Sequence, residues 1–451
     1  MSGYAEYREV NLPWLKAVPA HWEIRRNKNI FTEQKEIVGE RSADYTLLSL
    51  TLNGIIPRDM DGGGKFPESF DKYKIVKNGD MAFCLFDIDE TPRTVGLSGY
   101  NGMLTGAYTI MRVSNINARF IYYYYLALDN GKMLRPLYTG LRKTININTF
   151  QSTKVPVPPR EEQDQIVRFL DWKISSINKL INIKKKEIKA IDALKRSMVS
   201  HVITRGLTTD APMKDSGVKW LGDIPAHWKI TKLRQILHPG REKNHQEFPL
   251  LSVVREQGVI LRDVEDKEAN HNFIPDDLSG YKVVRKGQFA MNKMKAWQGS
   301  YGVSDYTGVV SPAYFIFDIA FENLEYFHYA IRSKVYVNFF AQASDGIRVG
   351  QWDLQMDKMK EIPFIVPPAD EQIAIVKYIK QALPQYNVAI EKLTEEVAVL
   401  EEYKNKVIAD TVTGKIDVRG IEIPEYEFVD EDIDNADEVM EQGVNEPLEE
   451  E

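Results

Sequence analysis

The strongest constraint on this chain is that it carries nearly the same sequence twice. Trp14-Leu-Lys-Ala-Val-Pro-Ala-His-Trp22 returns as Trp220-Leu-Gly-Asp-Ile-Pro-Ala-His-Trp228, 206 positions later. Pro158-Pro-Arg-Glu-Glu-Gln163 returns as Pro367-Pro-Ala-Asp-Glu-Gln372, 209 positions later, and each copy opens a long helical stretch. A direct repeat of this size predicts two structurally equivalent halves, and 451 residues suffice for two or three domains with ordinary cores.

The stretches after the Pro-Pro motifs read as helices near 161–204 and 370–413. In the second, Ile379, Leu383, Tyr386, Ile390, Leu393, Val397, Leu400 and Val407 recur mostly at alternating steps of four and three. That is a heptad seam. Leu170, Ile174, Ile177, Ile181, Ile188, Ile191, Leu194 and Met198 form its counterpart in the first. Proline stops the preceding chain, acidic residues suit a helix N-terminus, and Gly206 and Gly414 stand just past the far ends. A helix of this length spans about 65 Å at 1.5 Å per residue, and its single apolar seam needs a cover. The other helix is the natural one, giving an antiparallel coiled coil; the alternative is that each helix packs on its own globular block. Charge agrees, because residues 159–210 net +4 and residues 367–418 net −3.

The blocks before the helices match more weakly. Tyr73-Lys-Ile-Val-Lys-Asn-Gly79 resembles Tyr281-Lys-Val-Val-Arg-Lys-Gly287; Leu47-Leu-Ser-Leu50 resembles Leu250-Leu-Ser-Val253. Gly106-Ala-Tyr108 parallels Pro312-Ala-Tyr314, and Gly140-Leu-Arg142 parallels Gly346-Ile-Arg348. Short β-rich runs (Tyr45–Leu52, Met81–Phe86, Thr109–Val113, Tyr314–Phe317) with helices at Phe120–Leu128 and Leu324–Ile331 predict a mixed sheet. The reading is therefore α+β: two similar globular domains in tandem (1–158 and 208–366), each followed by a long helix (159–207 and 367–416). Antiparallel pairing of the helices gives pseudo-twofold symmetry, and an acidic tail (417–451) follows.

Residues 419–451 hold 14 Asp/Glu and one Arg, so they contribute −13 of a formal net charge of −7. The rest of the chain nets +6, which leaves nucleic acid open as a partner. The tail reads as a disordered, solvated and solubilising end, with a DNA mimic or partner hook as the alternative. No run of 18 apolar residues and no basic-apolar leader is present, so a cytoplasmic location is expected.

Signatures of catalysis fail one by one. Asn11-Leu-Pro-Trp14 has Leu where the adenine-methyltransferase motif has Pro, and no glycine-rich cofactor loop accompanies it. Gly62-Gly-Gly-Lys65 lacks the spacing and the Ser/Thr of a phosphate loop and reads as a flexible loop near nucleic acid. His21 and His227, each between Ala and Trp, lack further ligands and read as a packed His–Trp element rather than a metal site. The lone Cys84 reads as a small buried hydrophobe. No nucleophile triad and no nuclease carboxylate pattern stands out. A binding protein is the expectation, with no catalytic and no metal residues.

Basic residues mixed with amides and aromatics mark the candidate DNA contacts. In the first block these are Arg58, Lys65, Arg93, Arg142, Lys143, Asn146 and Asn148; in the second, Lys293, Lys295, Trp297, Gln298, Arg348 and Gln351. Lys and Arg neutralise phosphates, and Arg, Asn and Gln can read base edges bidentately. Two different blocks joined by paired helices suit a split site with two unlike half-sites.

In these duplicated features the chain resembles the specificity (S) subunit of a type I restriction-modification enzyme. The carriers are the paired Trp-Leu-x-x-x-Pro-Ala-His-Trp elements, the Pro-Pro-x-(Glu/Asp)-Glu-Gln helix starts, the Tyr-Lys-(Ile/Val)-Val-x-x-Gly segments and Ser311-Pro-Ala-Tyr314. The resemblance covers about 12 to 415. Lys16 stands where the second copy has Gly222, and the acidic tail lies outside the pattern. The resemblance implies two target recognition domains reading a bipartite DNA sequence, and helices that act as ruler and as docking surface for two modification subunits. Those partners would carry S-adenosylmethionine and methylate adenine. Restriction subunits would add ATP- and Mg2+-dependent translocation and cleavage, and this chain would be non-catalytic. A coiled-coil scaffold indifferent to DNA sequence is the alternative, and a nuclease or methyltransferase acting alone a third.

Overall fold

In the computed structural model the described residues are all except 1–2, 59–66, 68, 139–142, 244, 246, 264–277, 279, 349–350 and 433–451. Two compact units emerge. One comprises residues 1–186 and 393–451, the other residues 187–392. Each unit therefore contains one globular block, the first part of the helix that follows it and the last part of the other long helix. The sequence boundaries cut the chain by element; packing groups it differently, because each end of a helix has its own neighbours.

The long helices run over Arg160–Arg205 and Ala369–Val412. Both stop where a glycine takes the left-handed backbone, Gly206 at φ +74° and Gly414 at φ +76°. A side chain there would be strained. Its Cβ would stand 3.0 Å from Trp228 at Gly206; at Gly414 it would run into Pro19 and stand 3.2 Å from Trp22. Of the seam, Leu170, Ile177, Ile181, Ile379, Val397 and Val407 are buried. Leu194 is not; it is 60% exposed. Continuing the 3.5-residue period from Ile188 and Ile191 leads to position 195, so Lys195 takes the seam position and pairs with Asp192 at 3.1 Å. In the first unit, Lys184 Nζ lies 2.9 Å from Glu396, and Lys404 Nζ donates to Asn178 at 3.4 Å, so contacts ascend one helix as they descend the other.

Each block is built on a four-stranded antiparallel sheet with the same chain order. The strands are Phe31–Gln34, Thr109–Val113, Asp80–Phe83 and Val95–Leu97 in one block. Leu237–Pro239, Tyr314–Ile319, Phe289–Asn292 and Tyr301–Val303 repeat it in the other. A helix follows in each, Ala118–Asn130 and Leu324–Ile331. A pair of strands then delivers the chain to the long helix, Glu23–Arg26 with Lys154–Val157 and Lys229–Lys232 with Pro363–Val366. The second block adds the helix Lys334–Gln342 and the hairpin Ser344–Arg348/Gln351–Leu354.

The repeated motifs turn out to be partners of one another. Glu162, near the start of the first long helix, receives Trp22 Nε1 at 2.9 Å, His21 Nε2 at 2.7 Å and the Tyr4 hydroxyl at 2.5 Å. Glu371 does the same for Trp228 (3.0 Å) and His227 (2.5 Å). Gln163 and Gln372 donate to the carbonyls of Pro158 and Pro367, both at 2.8 Å. The Lys74 amine donates to the Tyr108 carbonyl at 2.7 Å, and Lys282 to that of Tyr314 at 2.5 Å. Of the expected packed His–Trp element the tryptophan is buried in both copies and the histidine is exposed, and a carboxylate some 140 residues away binds both.

The acidic tail departs from the expectation of a disordered end as far as it is described. Val418 is fully buried, and residues through Asp432 lie against the first long helix. Polar side chains on that helix take up its backbone groups, which composition alone could not reveal. Among the described residues, no helix is long and apolar enough to cross a membrane.

Candidate nucleic-acid interface

In both blocks the segment after the third sheet position is held by a segment that precedes the long helix. Ile145 N–H donates to the Leu85 carbonyl at 2.7 Å, and Leu354 N–H donates to that of Lys293 at 3.4 Å. The candidate contacts cluster around these two crossings, but with different chemistry.

In the first block Lys143 is exposed and pairs with Glu90 and, at 3.4 Å, with Asp89. Tyr138 donates to Asp89 at 2.6 Å. That hydrogen bond holds the Asp89 carboxyl below its usual range, while burial and Asp89 itself push the Tyr138 hydroxyl up to about 12. Asn146 caps the short helix Ile147–Ser152 by accepting the Asn148 N–H at 2.8 Å, and both side chains are exposed. Arg58 is half-buried, and its N–H donates to the Leu47 carbonyl at 2.9 Å.

Arg93 is less exposed than Lys143. Its guanidinium donates to Asp129 at 3.0 Å and to Asn130 at 2.8 Å, and its side chain is only 14% exposed. Asp129 is buried and also accepts from Thr94 and Lys132. This charge holds the loop to the helix end. Lys65 and Arg142 lie outside the described residues.

In the second block Trp297 stacks on Trp352 of the hairpin, ring centroids 5.1 Å apart at 25°. Lys293 pairs with Asp353 at 2.8 Å, Lys295 is exposed, and Gln298 is half-buried. Lys358 pairs with Asp345 at 2.9 Å, tying the hairpin's other strand. Among the described residues, Trp297 Nε1 and Asp353 Oδ1 are buried without a hydrogen-bond partner. Arg348 and Gln351 stand at the facing ends of the hairpin strands, where Arg348 pairs in register with Gln351; their side chains lie outside the description.

The fold thus brings Lys143, Asn146 and Asn148 together in one block, and Lys293, Lys295, Trp297 and Gln298 in the other. The sequence reading missed Trp352, Asp353, Asp89 and Tyr138. Trp352, one residue past Gln351, was the one readable signal among them. Cys84 is buried, and burial pushes its thiol up to about 11, so it stays neutral and unreactive. Among the described residues no group of three or more His, Cys, Asp or Glu is placed to hold a metal ion.

Residues 70–190 match the family described as type I restriction modification DNA specificity domain. The type I restriction enzyme MjaVIII specificity subunit of Methanocaldococcus jannaschii is 23% identical over 446 residues, covering 92% of this chain and 98% of that protein. The MjaX specificity subunit of the same organism is also 23% identical, over 439 residues, covering 89% and 95%. A solved chain, described under complex assembly and conformational transition of the type I R-M system, shares the fold. Its TM-score is 0.55 at 12% identity, over 88% of this chain and 99% of that one. The resemblance read from the duplicated motifs, to type I specificity subunits, is borne out.

Proposed function

We propose that this chain is the DNA sequence-specificity subunit of a type I restriction-modification complex. Its two blocks act as target recognition domains, each reading one half of a bipartite, asymmetric site. The two long helices pair antiparallel and set the distance between half-sites. The frame common to both copies docks two modification subunits that methylate adenine, and restriction subunits join them. S-adenosylmethionine, ATP and Mg2+ belong to those partners in this reading. The chain itself performs no chemistry and works in the cytoplasm, where its DNA is.

The observation that carries the proposal is a frame kept and a surface changed. The glutamate that receives His and Trp, the glutamine on the Pro-Pro carbonyl and the lysine on the Ala-Tyr carbonyl are the same in both units. The crossings that carry the candidate contacts differ in length, charge and aromatic content. Identical partners need an identical frame; unlike half-sites need unlike surfaces.

The pairing of Lys143 and Lys293 with carboxylates is compatible with DNA binding. Exposed ion pairs contribute little to stability, and a phosphate that replaces the carboxylate releases counterions as well. The same pairs also suit the alternative, a scaffold whose cations are merely structural. The two readings separate in one experiment. Assembled with its modification subunits, the chain should protect a split, asymmetric DNA site, with affinity falling steeply as salt rises. Salt-insensitive or absent DNA binding by the assembled complex supports the scaffold instead. Methylation by the isolated chain with S-adenosylmethionine would overturn the non-catalytic assignment.

A further inference from the structure

The DNA reading does not use the acidic C-terminal segment, yet the first long helix is shaped for it. From Val418 to Asp432 the segment follows that helix within one unit. Gln165 donates to the carbonyls of Val418 (3.0 Å) and Ile421 (2.8 Å). Ser175 Oγ donates to the Glu427 carbonyl at 3.0 Å and accepts the Val429 N–H at 2.9 Å. Asn178 donates to the Val429 carbonyl at 3.2 Å. Asn182 donates to the Asp430 carbonyl and accepts the Asp432 N–H, both at 2.8 Å.

Ser175, Asn178 and Asn182 are 3, 5 and 7% exposed and share one helix face by their steps of three and four. Buried amides and hydroxyls are costly unless bonded. Here their partners are mainly the backbone groups of an extended peptide, which offers alternating N–H and C=O at the spacing the ladder needs. Ile421 and Ile423 pack against the core of the first unit, whereas Tyr426 and Phe428 are exposed, so beyond Ile423 recognition runs mainly through the backbone and one charged side chain. That side chain is Glu431. Lys185 of the first helix reaches it at 2.9 Å, and Lys404 of the second helix closes on its other oxygen. The carboxylate therefore links the two helices.

The second helix has no such strip. At the positions 209 further on stand Ala374, Pro384, Asn387 and Glu391. Ala374 and Pro384 have no side-chain polar group, and Glu391 would repel an acidic segment where Asn182 receives one.

We propose that Ser175 to Lys185, with Lys404, form a binding strip for an extended acidic peptide, occupied by this chain's own residues 421–432 as a clasp between the two helices. Hydrogen exchange on the full chain tests it. Peptides covering 424–432 should exchange at least tenfold more slowly than the same sequence as a free peptide. Asn182→Leu and Glu431→Lys should each abolish that protection, while the exposed control Glu425→Lys should leave it intact. In parallel, a chain ending at Gly420 should bind a labelled peptide of residues 421–432, and the Glu431→Lys peptide should bind at least tenfold more weakly. The full-chain comparison stands whether or not the shortened chain is soluble. Free-peptide exchange rates in the unaltered chain, or protection indifferent to Asn182→Leu and Glu431→Lys, overturns the proposal.

Discussion

The two units solve the same folding problem with opposite charges, and the contrast separates frame from surface. In the first, the turn Lys77–Asp80 is capped by Asp80, which accepts the Lys77 N–H at 2.9 Å and pairs with Arg112 at 3.2 Å. In the second, Gln288 accepts the Arg285 N–H at 2.7 Å and donates to Asp318 at 2.8 Å. At the end of the block helix the first unit buries an anion, Asp129, and the second holds a half-buried cation. That cation, Arg332, reaches the carbonyls of Tyr301, Arg255 and Glu256 at 2.6 to 2.9 Å. Hydrogen-bond geometry is retained while the chemical identity is exchanged. The contacts between the Pro-Ala-His-Trp motif and the helix start resist this drift, as do the glutamine on the Pro-Pro carbonyl and the lysine on the Ala-Tyr carbonyl.

That contrast can be broken by substitution, beginning with the largest expected effect. Asp129→Leu should destabilise the first unit by about 4 kcal/mol, because it leaves Arg93 and Lys132 facing each other without an anion. Chemical denaturation gives the size, and hydrogen exchange should place the loss outside residues 187–392.

Glu162→Ala should cost about 3 kcal/mol, since three donors lose one buried acceptor. Glu371→Ala should cost about 1.5 kcal/mol, because that carboxylate serves two donors and is more exposed. Equal losses in the two variants would show that Tyr4 adds nothing to the first anchor.

The units should also differ in acid. His328 takes the Val303 N–H on Nδ1 at 3.3 Å, and Tyr122 stands at the corresponding place of the first block. Burial, with Arg332 beside it and Glu325 opposing, lowers the His328 imidazole to about 4. The unfolded chain binds its proton near 6.5. Between those values the unfolded state holds a proton that the folded state refuses. The second unit should therefore be fully stable above about pH 6.5 and lose up to about 3 kcal/mol as pH falls to about 4. Below that no further loss comes from this group. Denaturation of His328→Asn across the window should lack that slope.

The smallest effect should be the most even. Lys74→Met and Lys282→Met each remove one amine-to-carbonyl bond and should each cost about 1 kcal/mol in their own unit.

Much of this frame was readable in the residues. The long helices were announced by Pro-Pro, acidic first turns, heptads and a following glycine, all of them local signals. The partnership of Trp22 with Glu162 was not, because two motifs 140 residues apart show only that each recurs. The site was less legible. Surface chemistry singled out Lys143, Lys293 and Trp297, which the fold places on two corresponding crossings. It could not separate them from Arg93, whose anion lies 36 residues away on a helix. Tail composition argued for solvation, but main-chain bonding to Ser175, Asn178 and Asn182 outweighed it as far as Asp432.

The central claim, that the two blocks read separate half-sites, is tested most directly by mapping methylated positions genome-wide. Cells would express the modification subunits with the unaltered chain, with Lys143→Ala/Asn148→Ala, or with Lys295→Ala/Trp297→Ala. One bipartite, asymmetric motif is expected, in which the first pair of changes relaxes one half, the second pair relaxes the other half, and the spacing stays constant. A continuous motif, or either pair altering both halves alike, would contradict it.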